Sequence, residues 1–320
     1  TWFGWRKGDL PSTFLTQSAL SNVARLAGFE IVRSRPLGFI PWHLLGFGLL
    51  LNRILGAVPF FRWIAVAEVV TFRPLIQSEE KPSLSIVIPA RNEKGNIAPL
   101  LDRIPAFPGT RIEIIFVEGH SQDGTWDEIL KAQREHDRHF EITAHQQQGK
   151  GKADAARLGI AAAKFDLIAI LDADLSMPPE LLPRFYEAYR RGDGDFINGS
   201  RLIYPMEGGA MRFLNWLGNV FFAKSLSFVL ERPIGDSLCG TKLFSRADSV
   251  RFRHWRHDFG DFDPFGDYEL LFPAAVLGLG MIDIPVRYRA RTYGTTNIHR
   301  FADGLRLLKM TTIALLRIRA

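Results

Sequence analysis

The chain has 320 residues, 47% of them hydrophobic and 23% charged, which is enough to bury a large core and excludes an intrinsically disordered protein. The 40 Lys and Arg residues outnumber the 34 Asp and Glu residues. This balance suits an anionic partner such as nucleotide phosphates, an acidic membrane or nucleic acid, and it also fits an ordinary basic surface. The one cysteine, Cys239, excludes an internal disulfide and a cysteine-based zinc cluster, and it predicts a reducing compartment.

The first part of the chain, residues 1–76, is rich in aromatic residues and is interrupted by Gly and Pro. Helix-like runs at residues 14–27 and 44–58 predict a mainly helical N-terminal extension. Because Thr1 is not an initiator methionine and no signal peptide follows it, we expect the chain to begin inside a longer polypeptide. The polar stretch QSEEKPS, residues 77–83, is interpreted as a linker.

From residue 84 onward, short apolar runs rich in β-branched residues alternate with longer amphipathic runs. The short runs predict strands at residues 84–89, 112–117, 141–144, 167–171, 195–199 and 281–288. The longer runs predict helices near residues 96–104, 125–136, 153–163, 179–190 and 267–277. Apolar strands that alternate with helices predict a mostly parallel sheet covered on both faces. Ligands of such sheets bind beyond the carboxyl ends of the strands, so we expect the functional site there.

Three apolar stretches, at residues 36–51, 211–230 and 301–320, raise the question of membrane contact. The first is shorter than the roughly 20 residues of a spanning helix and is broken by Pro41 and two glycines. The second and third have an apolar face beside polar or basic residues. Each of these two is either a core helix or an interfacial helix that lies on acidic lipid, and none of the three predicts a transmembrane span.

Two carboxylates, Asp172 and Asp174, follow the apolar run at residues 167–171. In an extended segment, side chains two residues apart point the same way and lie roughly 6 to 7 Å apart. Two unpaired carboxylates in one small volume resist ionisation, and a divalent cation relieves their repulsion. The pair therefore suits Mg²⁺ or Mn²⁺ that also holds ligand phosphates, although a solvated loop pair has the same spacing.

Other polar segments gather at the same predicted edge. IPARNEKGN follows the first strand and FVEGHSQDGT the second, and such glycines and short polar residues allow close backbone contact with a nucleotide. In QQQGKGKADAARLG, Lys150 and Lys152 precede a helix whose N-terminus favours anions. A solvated turn is the alternative interpretation of these lysines.

Together these motifs resemble family 2 glycosyltransferases. Pro89 with Asn92 and Glu93, the segment at residues 118–125, and the runs GKGKADAARLGI, LDADLS and NGSR occur in the order found in that family. The resemblance covers about residues 84–300 and is strongest to the branch of dolichol- and polyprenyl-phosphate mannose and glucose synthases. It implies an α/β catalytic domain of the GT-A nucleotide-diphospho-sugar transferase type, followed by a basic amphipathic helix at residues 301–320.

The resemblance also implies roles for individual residues. Asp172 and Asp174 match the metal-binding D-x-D, and Ser176 stands where some lipid-phosphate synthases carry a longer polar residue. The usual second-strand aspartate pair reads Glu118-Gly119 here, which leaves the base specificity open. The residues that would line the nucleotide site are Pro89, Arg91, Glu93, Glu118, Asp123, Lys152 and Asp172.

Three acidic residues further along are the catalytic candidates. Asp236 lies in GDSLCGTKLFSR, which resembles the segment on the acceptor side, and Asp267 and Glu269 lie in DPFGDYELL, which resembles the region that supplies a catalytic carboxylate. We favour Asp267, although an aspartate there equally suits a helix N-cap. Arg289 and Arg291 lie in a loop similar to the family's phosphate-binding loop, and guanidinium groups suit phosphate geometry.

The implied reaction moves a sugar from a nucleotide-diphosphate sugar to an acceptor with inversion at the anomeric carbon. The metal, Arg291 and Lys152 would stabilise the departing diphosphate. A polyprenyl or dolichyl phosphate acceptor arrives ionised, since its second pKa is about 6, and it needs no strong base. A hydroxyl acceptor on a cell-surface glycan would need Asp267 or Glu269 as the base. We expect a cytoplasmic protein in peripheral contact with the acidic inner face of a membrane.

Other functions are also considered. A non-catalytic membrane-associated scaffold would explain Glu118-Gly119. A sugar nucleotidyltransferase is disfavoured because this sequence lacks the early glycine-rich, lysine-bearing signature of such enzymes. Nucleic acid is not an expected partner because the basic residues are dispersed. Residues 1–75 resemble the tail of a methyltransferase domain, which predicts a fusion to such a domain upstream. The sequence does not indicate an oligomeric state.

Overall fold

The computed structural model describes residues 16–37, 39, 47–48, 51–52, 55, 65, 67–75, 77, 80–135, 140–204, 213–259, 263, 265–291, 293–294 and 300–319. Most of the predicted helix at residues 44–58 lies outside these described residues. The predicted phosphate-binding loop of Arg289 and Arg291, residues 287–298, is described only up to residue 291 and at residues 293–294.

The described part of the N-terminal extension is a helix followed by a two-stranded ribbon. Helix α1 spans Gln17–Leu26, and Thr16 caps it by accepting a hydrogen bond from the Ala19 N–H at 3.2 Å. Strands β1 (Phe29–Leu37) and β2 (Ala67–Pro74) pair antiparallel. The sequence did not predict this ribbon, because its strands pair across a long intervening segment and no local pattern reveals such a pairing.

A seven-stranded sheet forms the centre of the described structure. Its strand order is β5-β4-β3-β6-β8-β7-β9, and only β8 runs antiparallel to its neighbours. This confirms the predicted mostly parallel sheet. The sequence missed β8, which is short and contains a lysine. The strands are β3 (Leu84–Ala90), β4 (Ile112–Glu118), β5 (Glu141–Gln146), β6 (Leu167–Ile170), β7 (Phe196–Ser200), β8 (Lys242–Ser245) and β9 (Met281–Pro285).

Helices cover both faces of the sheet, as the sequence predicted. Ile97, Ile129 and Phe185 belong to the apolar core on one face. Leu226 and Met310 belong to the core on the other. The helices after α1 are α2 (Ile97–Arg103), α3 (Thr125–Glu135), α4 (Lys152–Ala162), α5 (Leu182–Arg190), α6 (Phe213–Leu230), α7 (Arg246–Phe259), α8 (Tyr268–Val276) and α9 (Arg300–Ala314).

Helices α6 and α9 pack together and come from the two apolar stretches whose interpretation was open. One side of each is buried, as Leu226 and Met310 show, while Leu217 and Phe221 of α6 and Leu305 of α9 are exposed. Each helix therefore has both a core face and an exposed apolar face. Within the part of the chain that the structure describes, no helix has the length and apolar character needed to cross a bilayer.

A buried arginine fastens the ribbon to one edge of the sheet. Arg73 of β2 contacts the Glu30 carboxylate at 2.6 Å and the Asp195 carboxylate at 3.2 Å. Its guanidinium also donates to the backbone carbonyls of Gly192 and Asp193, at 2.9 and 3.0 Å. A buried guanidinium needs such partners because its desolvation is costly. The extension is therefore joined to the edge of the sheet by ion pairs and hydrogen bonds of this one side chain.

Replacing Arg73 by methionine should destabilise the protein by about 3 kcal/mol, because the change leaves Glu30 and Asp195 without their shared cation. The matched control is Arg191→Met, which removes an exposed ion pair with Asp193 and should cost less than about 1 kcal/mol. Urea unfolding of the full chain measures both values. Equal small effects would show that the ribbon does not depend on Arg73.

Candidate functional site

The two acids of the D-x-D lie in the turn after β6, at the carboxyl edge of the sheet. The prediction that both lie in an extended segment is wrong, because β6 ends at Ile170 and the chain then turns, with Leu175 at φ 57°. Each carboxylate instead faces its own cation. Asp172 and Asp174 nevertheless lie where the parallel strands end, as the sequence predicted.

Asp172 is paired with Lys152. The chain enters α4 through Gly151 at φ 88°, and this brings the Lys152 Nζ to 2.5 Å from the Asp172 Oδ1. Burial opposes the ionisation of both groups, but their mutual attraction is stronger, so the pKa of Asp172 is lowered and that of Lys152 is raised. Each side chain remains 27% exposed. The pair is therefore ionised and accessible to a ligand.

Gly240 lies directly against this pair. A Cβ at that position would be 2.2 Å from the Lys152 Nζ and 2.3 Å from the Asp172 Oδ2. Such distances are too short for any side chain to be accommodated without separating the two groups. The segment before β8 therefore lets its backbone approach the charged pair only because residue 240 is a glycine.

Asp174 is held by Arg291 and by its own turn. The Arg291 guanidinium lies 2.6 Å from the Asp174 Oδ2, and the Ser176 backbone N–H and hydroxyl donate to the Oδ1 at 3.0 and 2.6 Å. Ser176 is thus a hydrogen-bond partner of the D-x-D. Arg291 also lies 3.3 Å from the Glu93 Oε1, so it joins the loops that follow β3 and β6.

Glu93 is the buried carboxylate of the β3 loop. Burial raises its pKa to about 7, against the hydrogen bond that Asn96 donates at 2.6 Å and the attraction of Arg291. The Glu93 backbone N–H donates to the Thr125 hydroxyl at 2.9 Å, which ties this loop to the start of α3. Glu93 is therefore fixed in place beside Arg291, the arginine that pairs with Asp174.

Asp123 organises the loops after β3 and β4. Its carboxylate accepts from the Lys94 backbone N–H at 3.1 Å, from the Thr125 N–H at 3.0 Å and from the Tyr293 hydroxyl at 3.1 Å. The Tyr293 ring packs on Gly95, where a Cβ would come within 2.7 Å of a ring carbon. Tyr293 was not singled out from the sequence, although it lies in the same loop as Arg289 and Arg291.

The remaining predicted nucleotide residues lie around this edge with different exposures. Glu118 ends β4, is buried, and accepts a hydrogen bond from the Ser121 N–H. Pro89 lies within β3, and Arg91 follows that strand as an exposed residue. Arg289 is also exposed, and its backbone N–H donates to the Ser176 carbonyl at 2.9 Å. The structure therefore brings Arg291, but not the Arg289 guanidinium, to the D-x-D.

All three candidate catalytic carboxylates are ion-paired. Asp236 binds the Arg201 guanidinium with both oxygens, at 2.7 and 2.9 Å, and Arg157 lies 2.8 Å from the Glu269 Oε1. Asp267 accepts a hydrogen bond from the ammonium of Lys242. Arg201 lowers the pKa of Asp236 against the effect of burial, and each of the other two carboxylates has an oxygen engaged by a cation.

Asp267 does not cap α8 with its side chain; the side chain of Asp263 does. The Asp263 Oδ2 accepts from the backbone N–H groups of Tyr268 and Glu269 at 2.7 and 3.1 Å. Burial raises the pKa of Asp263 to about 6. Asp267 thus occupies the N-cap position that the local pattern suggested, but its carboxylate binds Lys242 and leaves the capping hydrogen bonds to Asp263.

Oxygen ligands suit a hard divalent cation at the D-x-D. Magnesium is commonly bound by one or two carboxylates together with substrate phosphates, rather than by a complete protein cage. Asp172 and Asp174 supply two such carboxylates, each within reach of a basic group that suits phosphate. Among the described residues, no group of three or more His, Cys, Asp or Glu side chains poised for a metal occurs. The residues present therefore suit a cation whose remaining ligands come from a bound diphosphate and water.

The fold is that of solved GT-A glycosyltransferases. Glucosyl-3-phosphoglycerate synthase from Mycobacterium tuberculosis, solved in complex with Mn²⁺, uridine diphosphate and glucosyl-3-phosphoglycerate, superposes with a TM-score of 0.53 at 18% identity. The superposition covers 74% of this chain and 80% of that one. At this identity the likeness establishes the fold only.

Several curated proteins are similar in sequence. A dolichol-phosphate mannosyltransferase of Pyrococcus furiosus is 34% identical over 145 residues, which is 45% of this chain and 38% of that protein. A dolichyl-phosphate hexose transferase of Haloferax volcanii is 28% identical over 221 residues, which is 69% of this chain and 89% of that protein. The hexosyltransferase Agl6 of low-salt glycan biosynthesis in the same organism is 28% identical, and the chain spans 54% of its length.

The family model of glycosyl transferase family 2 matches residues 85–250, which is more than half of the 320 residues. The matched segment begins in β3, includes the D-x-D with Lys152, and extends into α7. Sequence, fold and the charged site at the carboxyl edge agree, and the chain belongs to glycosyl transferase family 2.

Proposed function

We propose that the chain transfers a sugar from a nucleotide-diphosphate sugar to a polyprenyl or dolichyl phosphate, in a metal-dependent reaction that inverts the anomeric carbon. The main support is the pairing of Lys152 with Asp172 and of Arg291 with Asp174 at the carboxyl edge. Two carboxylates for a cation and two basic groups for a diphosphate thus lie at one site. Relatives named for dolichyl-phosphate sugar transfer support the choice of acceptor.

Asp172 and Asp174 would hold Mg²⁺ or Mn²⁺, which neutralises charge on the diphosphate as the sugar departs. Lys152 and Arg291 would then be released from these carboxylates and would bind the diphosphate oxygens. Lysine and arginine stabilise a leaving diphosphate because its charge grows in the transition state. Glu93, Glu118 and Asp123 would hold the loops that receive the nucleotide.

An acceptor that is already ionised suits a site in which all three candidate bases are ion-paired. Asp236, Asp267 and Glu269 are each bound to a lysine or arginine, so none of them presents an unengaged carboxylate to an acceptor hydroxyl. A lipid phosphate brings its own negative oxygen, since its second pKa is about 6. The reaction that we propose therefore needs no proton transfer to any of these three residues.

Removal of the metal should abolish sugar transfer, and Mn²⁺ or Mg²⁺ should restore it. The double variant Asp172→Asn, Asp174→Asn should lose at least about a hundredfold in rate, because several kcal/mol of charge stabilisation are lost. Asp102→Asn, an exposed carboxylate on α2, is the matched control and should retain the wild-type rate. Full activity in the double variant would contradict the metal assignment.

The acceptor is tested with radiolabelled nucleotide sugars and two matched lipids, a polyprenyl phosphate and the corresponding polyprenol. We expect label in the organic phase only with the phosphate, because none of the three candidate bases is free to activate a hydroxyl. Transfer to the polyprenol at a similar rate would favour a hydroxyl acceptor. An absence of transfer to either lipid, with label in a soluble or polymeric product, would contradict the lipid acceptor.

We further propose that residues 84–300 are the catalytic domain and that helices α6 and α9 rest on the acidic cytoplasmic face of a membrane. Exposed apolar residues of α6 include Leu217 and Phe221, and α9 adds Leu305. Exposed basic side chains on the same two helices are those of Lys224, Arg306 and Lys309. An apolar face with flanking basic residues is suited to an interface of anionic lipid.

Vesicle flotation tests this contact. The variant Leu217→Ser, Phe221→Ser should bind vesicles that contain about one-third anionic lipid at least several-fold more weakly than the wild type, because it loses buried apolar area. Val250→Ser is the control, since Val250 is an exposed apolar residue on α7. Equal vesicle binding by all three proteins would exclude α6 as the contact surface.

A further inference from the structure

A row of polar side chains crosses the sheet beneath the site, next to the paired apolar residues Phe196 and Phe244. Asn198 of β7 lies in register with Asp283 of β9 on one side and with Lys242 of β8 on the other. Side chains at paired positions of neighbouring strands emerge on the same face of a sheet. The next position in the row, on β6, is Ile170, two residues before Asp172.

Hydrogen bonds hold the two ends of the row. The Asn198 Nδ2 donates to the Asp283 Oδ1 at 2.7 Å and to the Asp236 carbonyl at 2.8 Å. At the other end the Lys242 ammonium donates to the Asp267 Oδ1 and to the Cys239 carbonyl. Lys242 has no exposed surface, and Asp267 is 4% exposed.

Such a row costs stability compared with an apolar one. A buried lysine must be desolvated, and a buried ion pair is often no more stabilising than packed apolar residues. The Asn198 Oδ1 finds no hydrogen-bond partner among the described residues, which adds to the cost. Stability is therefore a poor explanation of Lys242, and its charged partner offers another.

The group on which it acts is the carboxylate of Asp267. Gly266, the residue before Asp267, packs against Ala153, the residue after Lys152: a Cβ at Gly266 would lie 3.1 Å from the Ala153 Cα. Lys242 also donates to the carbonyl of Cys239, which precedes Gly240, and Gly240 itself lies against the Lys152 Nζ. Asp267 is therefore within electrostatic reach of two lysines: Lys242, which is fixed in the core, and Lys152, which faces the site. The hydrogen bond from the Lys242 ammonium holds the Asp267 carboxylate in place next to Lys152.

We propose that the buried pair Lys242–Asp267 positions Lys152 during the reaction. This rests on the proposed function, in which Asp172 takes a divalent cation and so gives up Lys152. Asp267 is then the carboxylate that remains for the lysine, and it holds the ammonium at the diphosphate. Asp267 is thus a positioning residue and not the base, and Lys242 acts through Asp267 without touching the substrate.

A double-mutant cycle on nucleoside diphosphate binding tests the proposal without any need for the acceptor. The probes are UDP and GDP, each titrated calorimetrically in the presence of Mn²⁺. Lys152→Met and Asp267→Asn should each lower the affinity for the tighter-binding of the two diphosphates by about tenfold, because one charge-assisted contact is lost. Because Asp267 acts through Lys152, adding Asp267→Asn to Lys152→Met should weaken binding by no more than about threefold further.

Equal losses from Asp267→Asn in both backgrounds would overturn the proposal, because a general structural effect is additive. Unchanged binding in either single variant would also overturn it. If Asp267→Asn does not fold, the double variant Lys242→Met, Asp267→Leu removes both buried charges together. Its loss of affinity is then compared with and without Lys152→Met in the same way. Lys164→Met is the matched control, because it breaks the exposed pair with Glu141 and should leave binding unchanged.

The two proposals fail in different ways. If diphosphate binding follows the cycle but no lipid is labelled, the positioning role stands and the proposed acceptor is wrong. If lipid transfer occurs but the cycle is additive, the proposed function stands and the Lys242–Asp267 pair is only structural.

Discussion

Charge compensation at the carboxyl edge of the sheet is the constraint on which this site depends. Asp172, Asp174 and Asp267 would repel one another if they were left unpaired. Lys152, Arg291 and Lys242 each neutralise one of them, and the three cations come from α4, from the segment after β9 and from β8. A ligand that brings a divalent cation together with a diphosphate can exchange partners with such a set without leaving any charge unpaired.

The sheet topology explains how these groups meet. The parallel strands β4, β3 and β6 are neighbours in the sheet and end at one edge. Glu93, Asp123 and Asp172 therefore approach one another from the segments that follow these strands. The antiparallel strand β8 enters between β6 and β7 and contributes residues from its beginning, next to that edge. This reversal brings Gly240 against the Lys152–Asp172 pair and Lys242 beneath it, which a purely parallel sheet would not do.

Much of the catalytic domain was predictable because its signals are local. Apolar runs predicted the parallel strands. The D-x-D and Lys152 were each recognised from short segments next to predicted strands and helices. The ribbon, β8 and the partner of Asp267 were not predictable, because each depends on residues far apart in the chain: Phe29 with Pro74, and Lys242 with Asp267. The resemblance of residues 1–75 to a methyltransferase tail, the site roles and the domain bounds stay predictions.

The central claim is that Asp172 and Asp174 exchange basic partners for a cation when the nucleotide binds. A crystal structure of the chain with Mn²⁺ and the tighter-binding nucleoside diphosphate, with manganese located by anomalous scattering, tests this most directly. We expect the manganese peak between the D-x-D carboxylates and the diphosphate, with the Lys152 ammonium moved from Asp172 to the diphosphate. Manganese bound elsewhere, or Lys152 still paired with Asp172 beside a bound nucleotide, would contradict it.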